Sequence, residues 1–301
     1  MEKRQIGTSE LHASVLGLGC MSLGTDLSKG KNIIEAALDA GINYVDTADL
    51  YDFGENEKIV GQALKSVRDK VIIATKAGNR WNENKDGWSW DPSKKHIKEA
   101  VKHSLQRLQT DYIDLYQLHG GTIEDNIEET IEAFEELVTE GYIRYYGISS
   151  IRPNVIREYA EKSNIVSVMM QYSMLDRRPE EQAFPLLEQK KISVVTRGPL
   201  AKGILNGNLA KAQKNGYLSY SYEDLQQLIP SLEEKLGDRS PGEIAMQFNL
   251  AQTAVASVIA GASSVEQVQQ NAAAVRKPAL SLEELKVIQQ LTSSTGYSEH
   301  R

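Results

Sequence analysis

Eight short apolar runs recur along the chain, at 15–19, 42–46, 71–76, 112–118, 145–149, 166–171, 192–197 and 255–260. They are solidly apolar rather than alternating, as parallel strands covered by helices should be. Stretches with helical spacing separate them: 32–40, 55–67, 92–109, 127–140, 153–162, 178–189 with an irregularity at Pro185, 223–236, 241–252, 265–275, and a last helix to 291. End signals support several of these. Asp91 reads as the N-cap of a helix with Pro92 at its first position, Ser240 as another cap, and Gly41 as a helix-ending glycine. Ser281-Leu282-Glu283-Glu284 has the form of a capping box. Before the first run, residues 5–12 carry Gly7-Thr8-Ser9 and read as a small hairpin lying over one end of the fold.

Eight strand–helix units close most naturally into a (β/α)8 TIM barrel of the α/β class, here with an N-terminal β-hairpin. An open doubly wound sheet is the alternative, but no run leads into a G-x-G-x-x-G turn. With no internal linker or low-complexity segment, residues 1–301 read as one domain.

Composition narrows the function. The 301 residues are 41% hydrophobic and 25% charged, ordinary globular values with ample material for a core. A formal net charge of -7, without a Lys/Arg cluster, argues against a nucleic-acid partner. No apolar run approaches membrane-spanning length and no signal peptide precedes the first strand, so a cytoplasmic protein with no membrane partner is expected. The one cysteine, Cys20, lies in an apolar glycine-rich stretch and reads as buried packing before reactive thiol. The histidines are scattered without metal-ligand spacing, and no metal is expected.

In such barrels chemistry gathers at the C-terminal ends of the strands. Gly24 and Thr25 follow the first run, and Asp46 and Tyr51 the second. Lys76 ends the third and His119 follows the fourth. Ser149 and Ser150 come next, then Gln171, then Arg197, Gly198 and Leu200, and finally Gly261 and Ser263. A lysine beside Tyr51 would favour the phenolate and lower the phenol from its ordinary value of about 10. Asp46 would keep that amine charged and aimed. The set makes a phenolic acid/base catalyst, unless these are ordinary polar residues at strand ends.

The run Asp46-Thr47-Ala48-Asp49-Leu50-Tyr51, with Gly54-Glu55-Asn56-Glu57 and Gly61 after it, resembles the signature of the aldo-keto reductases. So do Thr75-Lys76, the strand from Asp111 to His119, Gly147-Ile148-Ser149 and Ile259-Ala260-Gly261-Ala262-Ser263; the short loops look more like the bacterial members. The resemblance implies a catalytic tetrad of Asp46, Tyr51, Lys76 and His119, with Tyr51 giving a proton to a carbonyl oxygen as a nicotinamide supplies hydride. It implies cofactor contacts at Gly24, Thr25, Asp46, Ser149, Ser150, Gln171, Arg197, Gly198, Leu200, Lys202, Gly203, Gly261, Ser263, Gln267 and Asn271. Arg197 stands where many members stack an aromatic ring, and would meet the nicotinamide or a phosphate. The N-terminus of the helix near Val265 suits a phosphate. NADPH is the expected cofactor by family habit, although Ser263 and Gln267 are neutral and leave NADH open.

Substrate contacts are expected from Tyr51 and His119, and from Trp81 and Trp88 in the tryptophan-bearing loop after the third run. That loop is equally readable as packed on itself. The tail with Tyr297 could lid the site or hang free. The partner is then a small carbonyl compound and the protein a monomer or weak homo-oligomer. Two alternatives stand beside a reductase: a nicotinamide-sensing subunit with little turnover, and a Schiff-base lyase using Lys76. A paired, charged lysine argues against the second.

Overall fold

The computed structural model describes residues 1–237 and 239–301. A two-stranded hairpin opens the chain: β1 (Lys3–Gln5) and β2 (His12–Ser14), antiparallel. Then come β3 (Leu16–Gly19), α1 (Leu27–Asp39), β4 (Tyr44–Asp46), α2 (Glu55–Leu64) and β5 (Ile72–Ala77). A second hairpin, β6 (Asn79–Trp81) with β7 (Trp88–Trp90), precedes α3 (Lys94–Leu108). The series continues with β8 (Ile113–Leu118), α4 (Ile127–Thr139), β9 (Ile143–Ser149), α5 (Pro153–Lys162) and β10 (Ser167–Gln171). After α6 (Ala183–Gln189) and β11 (Ser193–Arg197) come two helices in a row, α7 (Tyr222–Leu236) and α8 (Pro241–Leu250). The last elements are β12 (Val255–Gly261), α9 (Val265–Val275) and α10 (Leu282–Leu291).

The eight strands β3, β4, β5, β8, β9, β10, β11 and β12 pair in parallel in that order, and β12 returns to β3 through Val258↔Leu16 and Gly261↔Gly19. This is the expected (β/α)8 barrel. Alternate residues divide between two cores. Val168 and Met170 of β10 face the surrounding helices, while Met169 joins Tyr44, Ile72, Ala74, Leu115, Val195 and Ala256 inside the barrel. In the helical layer Phe134 lies fully buried against Tyr116 (5.5 Å) and stacks on Tyr146 (5.3 Å), a burial worth about 1.5–3 kcal/mol by area alone.

The N-terminal hairpin stoppers the barrel at the N-terminal ends of its strands. Ile6, Leu11 and Ala13 enter the interior core, and the Gly7 N–H donates to Ser193 Oγ at 2.7 Å. Glycine is required there: φ is +54° and a Cβ would stand 2.3 Å from the Val166 carbonyl oxygen.

Several element boundaries differ from the sequence expectation, each for a local reason. Helix α1 begins at Leu27 because Asp26 caps it, accepting from Lys29 N at 2.8 Å; Gly30 inside the first turns hides that start. Helix α3 is capped by Ser93, which accepts from His96 N, and not by Asp91. Asp91 instead accepts from Ser93 N in the turn before. The 178–189 segment is broken into a 3₁₀ turn (Arg178–Glu180) and α6. The β6–β7 hairpin lies inside what reads as polar loop. The capping box at Ser281 forms in both directions, Ser281 N to Glu284 Oε2 at 2.6 Å and Glu284 N to Ser281 Oγ at 3.1 Å.

Candidate active site

Strands β4 and β5 end side by side, which sets Asp46 against Lys76. Lys76 Nζ donates to Asp46 Oδ1 at 2.6 Å and to the Thr47 carbonyl at 2.7 Å, and the lysine is 1% exposed. Gln117 of β8 donates its Nε2 to the other Asp46 oxygen at 3.3 Å. Burial pulls the Lys76 amine down, but the charge of Asp46 and then Tyr51 outweigh it, so the amine is held above its ordinary value. A lysine so held is a poor nucleophile, which disfavours the Schiff-base alternative.

Tyr51 follows on a turn of unusual backbone. Asp52, Phe53 and Gly54 take left-handed φ values of 48°, 53° and 87° in succession, a conformation costing roughly 1–2 kcal/mol for each non-glycine residue. The turn is pinned from behind. Thr47 Oγ1 donates to Asn56 Oδ1 at 2.7 Å, and Asn56 Nδ2 donates to the Cys20 carbonyl at 2.8 Å. The buried Glu57 carboxylate accepts from Thr75 Oγ1 of β5 at 2.6 Å and from Arg107 Nε of α3 at 2.7 Å. Lys76 Nζ therefore stands 5.2 Å from the centre of the Tyr51 ring, and His119 meets that ring edge-on at 5.9 Å.

His119 is fixed by its backbone, N–H to the Ala77 carbonyl at 2.7 Å and C=O to Asn79 Nδ2 at 3.1 Å. Its ring Nδ1 is enclosed, with no hydrogen-bond partner among the described residues. Burial, then the charges of Lys76 and Arg197, depress the imidazole to about 3, so the ring is neutral. The four residues of the expected tetrad thus come together at one rim.

The other expected residues distribute around that rim. Ser149 ends β9, and the Ser150 N–H donates to the Met169 carbonyl while its Oγ accepts from Arg152 N. Ser149 lies level with Met169 in the barrel register; Gln171 stands two residues farther toward the mouth, level with Arg197. The Gln171 amide is engaged at both ends, its Oε1 accepting from Arg197 Nη1 at 3.2 Å and its Nε2 donating to Asp176 Oδ2 at 2.8 Å. Gly198, Ala201, Lys202 and Gly203 turn the chain after β11 with positive φ, and Leu200 lies between them. Ser263 donates from its N–H to Gln267 Oε1 at 2.8 Å; Asn271 is buried behind it in α9. The cleft between the starts of α1 and α9 has a volume of about 410 Å³ and is lined by Lys29, Asn32, Ser264 and Glu266 among others. Gly24 (φ 75°) and Thr25 are exposed on the loop that leads into α1.

The tryptophans separate. Trp81 packs edge-on against Phe53 at 6.3 Å, under the Arg107 guanidinium, and so buttresses the Tyr51 turn. Trp88 is 58% exposed. Trp90 donates to Asp125 and covers Gly78 and Gly120, a packing role.

Gln117, Asn56, Glu57, Arg107 and Asp176 have no assigned part in the sequence reading. The one available signal for Gln117 is a second polar residue, beside Asp114, within a mostly apolar strand. Asn56 and Glu57 lie inside the quoted signature, but apart from Thr47 their partners are 18 to 50 residues away in sequence.

A closed parallel barrel with a lysine–carboxylate pair under a tyrosine defines a class of barrel oxidoreductases. The Aldo/keto reductase family model matches residues 15–293, and the chain belongs to that family. It is 60% identical to an uncharacterized oxidoreductase of Bacillus subtilis, over the whole of both chains. It is 34% identical to the NADH-specific methylglyoxal reductase of Escherichia coli, covering 91% of this chain and 94% of that one. Among solved structures, the holo form of a Bacillus halodurans aldo-keto reductase superposes with a TM-score of 0.94 at 58% identity, covering 100% of this chain and 99% of that one. The chain is an oxidoreductase of that family.

Proposed function

We propose that this chain reduces aldehydes or ketones to alcohols with a nicotinamide dinucleotide, Tyr51 acting as the general acid. The observation that carries the proposal is the buried Lys76–Asp46 pair at 2.6 Å, set beneath the Tyr51 ring. A bound nicotinamide supplies a hydride. The protein's own groups do the rest. Tyr51 releases its proton to the substrate oxygen, and the Lys76 charge stabilises the negative charge left on the phenol. Asp46, Gln117 and the Thr47 carbonyl keep that amine in place. His119, neutral and edge-on to the Tyr51 ring, would hydrogen-bond the substrate oxygen through the ring nitrogen that is not enclosed.

The residues fit the cofactor. The start of α9, capped by Ser264, opens on the cleft of about 410 Å³ lined by Lys29 and Asn32, which would take the adenosine end. NADPH is the proposed donor, with Lys29 the cation lining that cleft; Glu266 and Asp26 oppose it there. The ratio of NADPH to NADH dissociation constants measures which charge wins.

Turnover of 4-nitrobenzaldehyde with either dinucleotide is the test. Wild-type protein should turn over, and Tyr51→Phe should lose about 10²- to 10⁴-fold in kcat while binding the dinucleotide as before. A broad panel of carbonyl compounds with no turnover would favour the sensing role and defeat the proposal.

A further inference from the structure

Behind the mouth of the site lies a run of polar contacts that the chemistry above does not use. Its centre is Asp176, in the loop after β10, with a side chain wholly removed from solvent. Its Oδ2 accepts from Gln171 Nε2 at 2.8 Å, and its two oxygens take Arg178 Nε at 2.7 Å and Nη2 at 2.8 Å in a fork. The outer face of the Arg178 guanidinium is covered by the Tyr297 ring, 4.8 Å to its centre. Tyr297 belongs to the C-terminal tail, which is tied down by Arg301 to Glu181 and by the His300 carbonyl to Asn154 N at 2.8 Å.

Gln171 couples this buried anchor to a charge at the rim. An amide between a carboxylate and a guanidinium has one low-energy orientation, NH₂ toward the anion and C=O toward the cation. Its Oε1 accordingly accepts from Arg197. Arg197 ends β11 level with Gln171 at the same rim, and its charge contributes to the depressed His119 value and to the ionised form of Asp46. The second Nε2 hydrogen reaches Tyr217 Oη at 3.4 Å, and the second lone pair of Oε1 stays open to a ligand. Without the anchor, Arg197 would keep its charge but lose its direction. Desolvation of Asp176 makes each of these charge-assisted bonds firmer than a surface equivalent.

We propose that Asp176 is a positioning residue for the mouth of the active site: it anchors Gln171, Gln171 aims Arg197 at the bound dinucleotide, and Tyr297 of the C-terminal tail seals the anchor. The inference rests on the function proposed above.

The test measures dissociation constants for NADPH by quenching of intrinsic tryptophan fluorescence in the full chain, with the thermal midpoint of each variant taken without ligand. Gln171→Leu and Asp176→Ala should each weaken binding by about five- to tenfold. In an Arg197→Met background, neither should weaken binding further, because their effect passes through that side chain. Asp176→Asn, whose amide oxygen can still accept from Gln171, should fall between Asp176→Ala and wild type. Tyr297→Phe, which keeps the ring, should retain more affinity than Tyr297→Ala. Losses that multiply in the double variants, or single variants with unchanged affinity, would overturn the proposal. If Asp176→Ala shows no cooperative unfolding, the Gln171 and Tyr297 variants decide the question in the same way. A wild-type chain that binds neither dinucleotide overturns the function itself, a different result from a wild type that binds while the couplings fail.

Discussion

His119 and Asp49 are enclosed against their electrostatic interest, His119 beside the Tyr51 ring. Asp49 is pushed well above the carboxylate range by burial and then by Glu57, and one of its oxygens has no partner. His119 has a measurable consequence. Its folded value of about 3 lies below the ordinary 6.5, so between those limits the unfolded chain binds the proton and the folded chain does not. Stability from this group is therefore complete above pH 6.5 and is lost as pH falls toward 3. At pH 5 the loss is about 2 kcal/mol. Urea unfolding at pH 7 and pH 5 should show wild type losing about that much more than His119→Gln; parallel losses would contradict the assigned enclosure. At this scale the sequence was informative where one residue type sufficed. Asp46, Tyr51, Lys76 and His119 each stand at or shortly after a strand end and could be read from position. Gln171 could be placed but not understood, because its partners Arg197 and Asp176 are fixed by barrel register and by a loop turn that no local pattern records.

Elements, rather than residues, hold the Tyr51 turn in its left-handed path. Helix α2 is fastened to β5 and α3 by one carboxylate, Glu57, and packs so closely on α3 that a Cβ at Gly61 would stand 2.5 Å from the Leu108 carbonyl oxygen. Breaking a buried pair by removing one partner costs about 3–5 kcal/mol. Glu57→Gln keeps the shape and one acceptor, so its cost should fall at or below the low end, near 3 kcal/mol in urea unfolding. It should also lower kcat more than it weakens dinucleotide binding, because the turn carries the phenol. An unchanged kcat would show that the turn holds itself. Strand and helix order was legible because apolar runs and caps are local signals. The β6–β7 hairpin was not, since its strands are only three residues each, too short for a period to stand out within a polar loop. The start of α1 was missed because a glycine masked a capped helix.

For the molecule as a whole, the barrel separates stability from chemistry. The N-terminal hairpin fills one end of the interior and the proposed catalytic rim occupies the other. Gly7→Ala forces a Cβ onto the Val166 carbonyl in a left-handed backbone. It should lower stability by about 1–3 kcal/mol and leave the NADPH dissociation constant unchanged. Loss of affinity in step with stability would mean that the two ends are coupled. The central claim concerns the phenol and its amine. Rapid mixing of enzyme pre-bound to NADPH with 4-nitrobenzaldehyde isolates the hydride-transfer step in wild type, Tyr51→Phe, Lys76→Met and the double variant. The account predicts that each single variant loses at least about a hundredfold in that rate with dinucleotide affinity intact, and that the double variant is little slower than either. A single variant that transfers hydride at the wild-type rate, or losses that simply multiply, would contradict it.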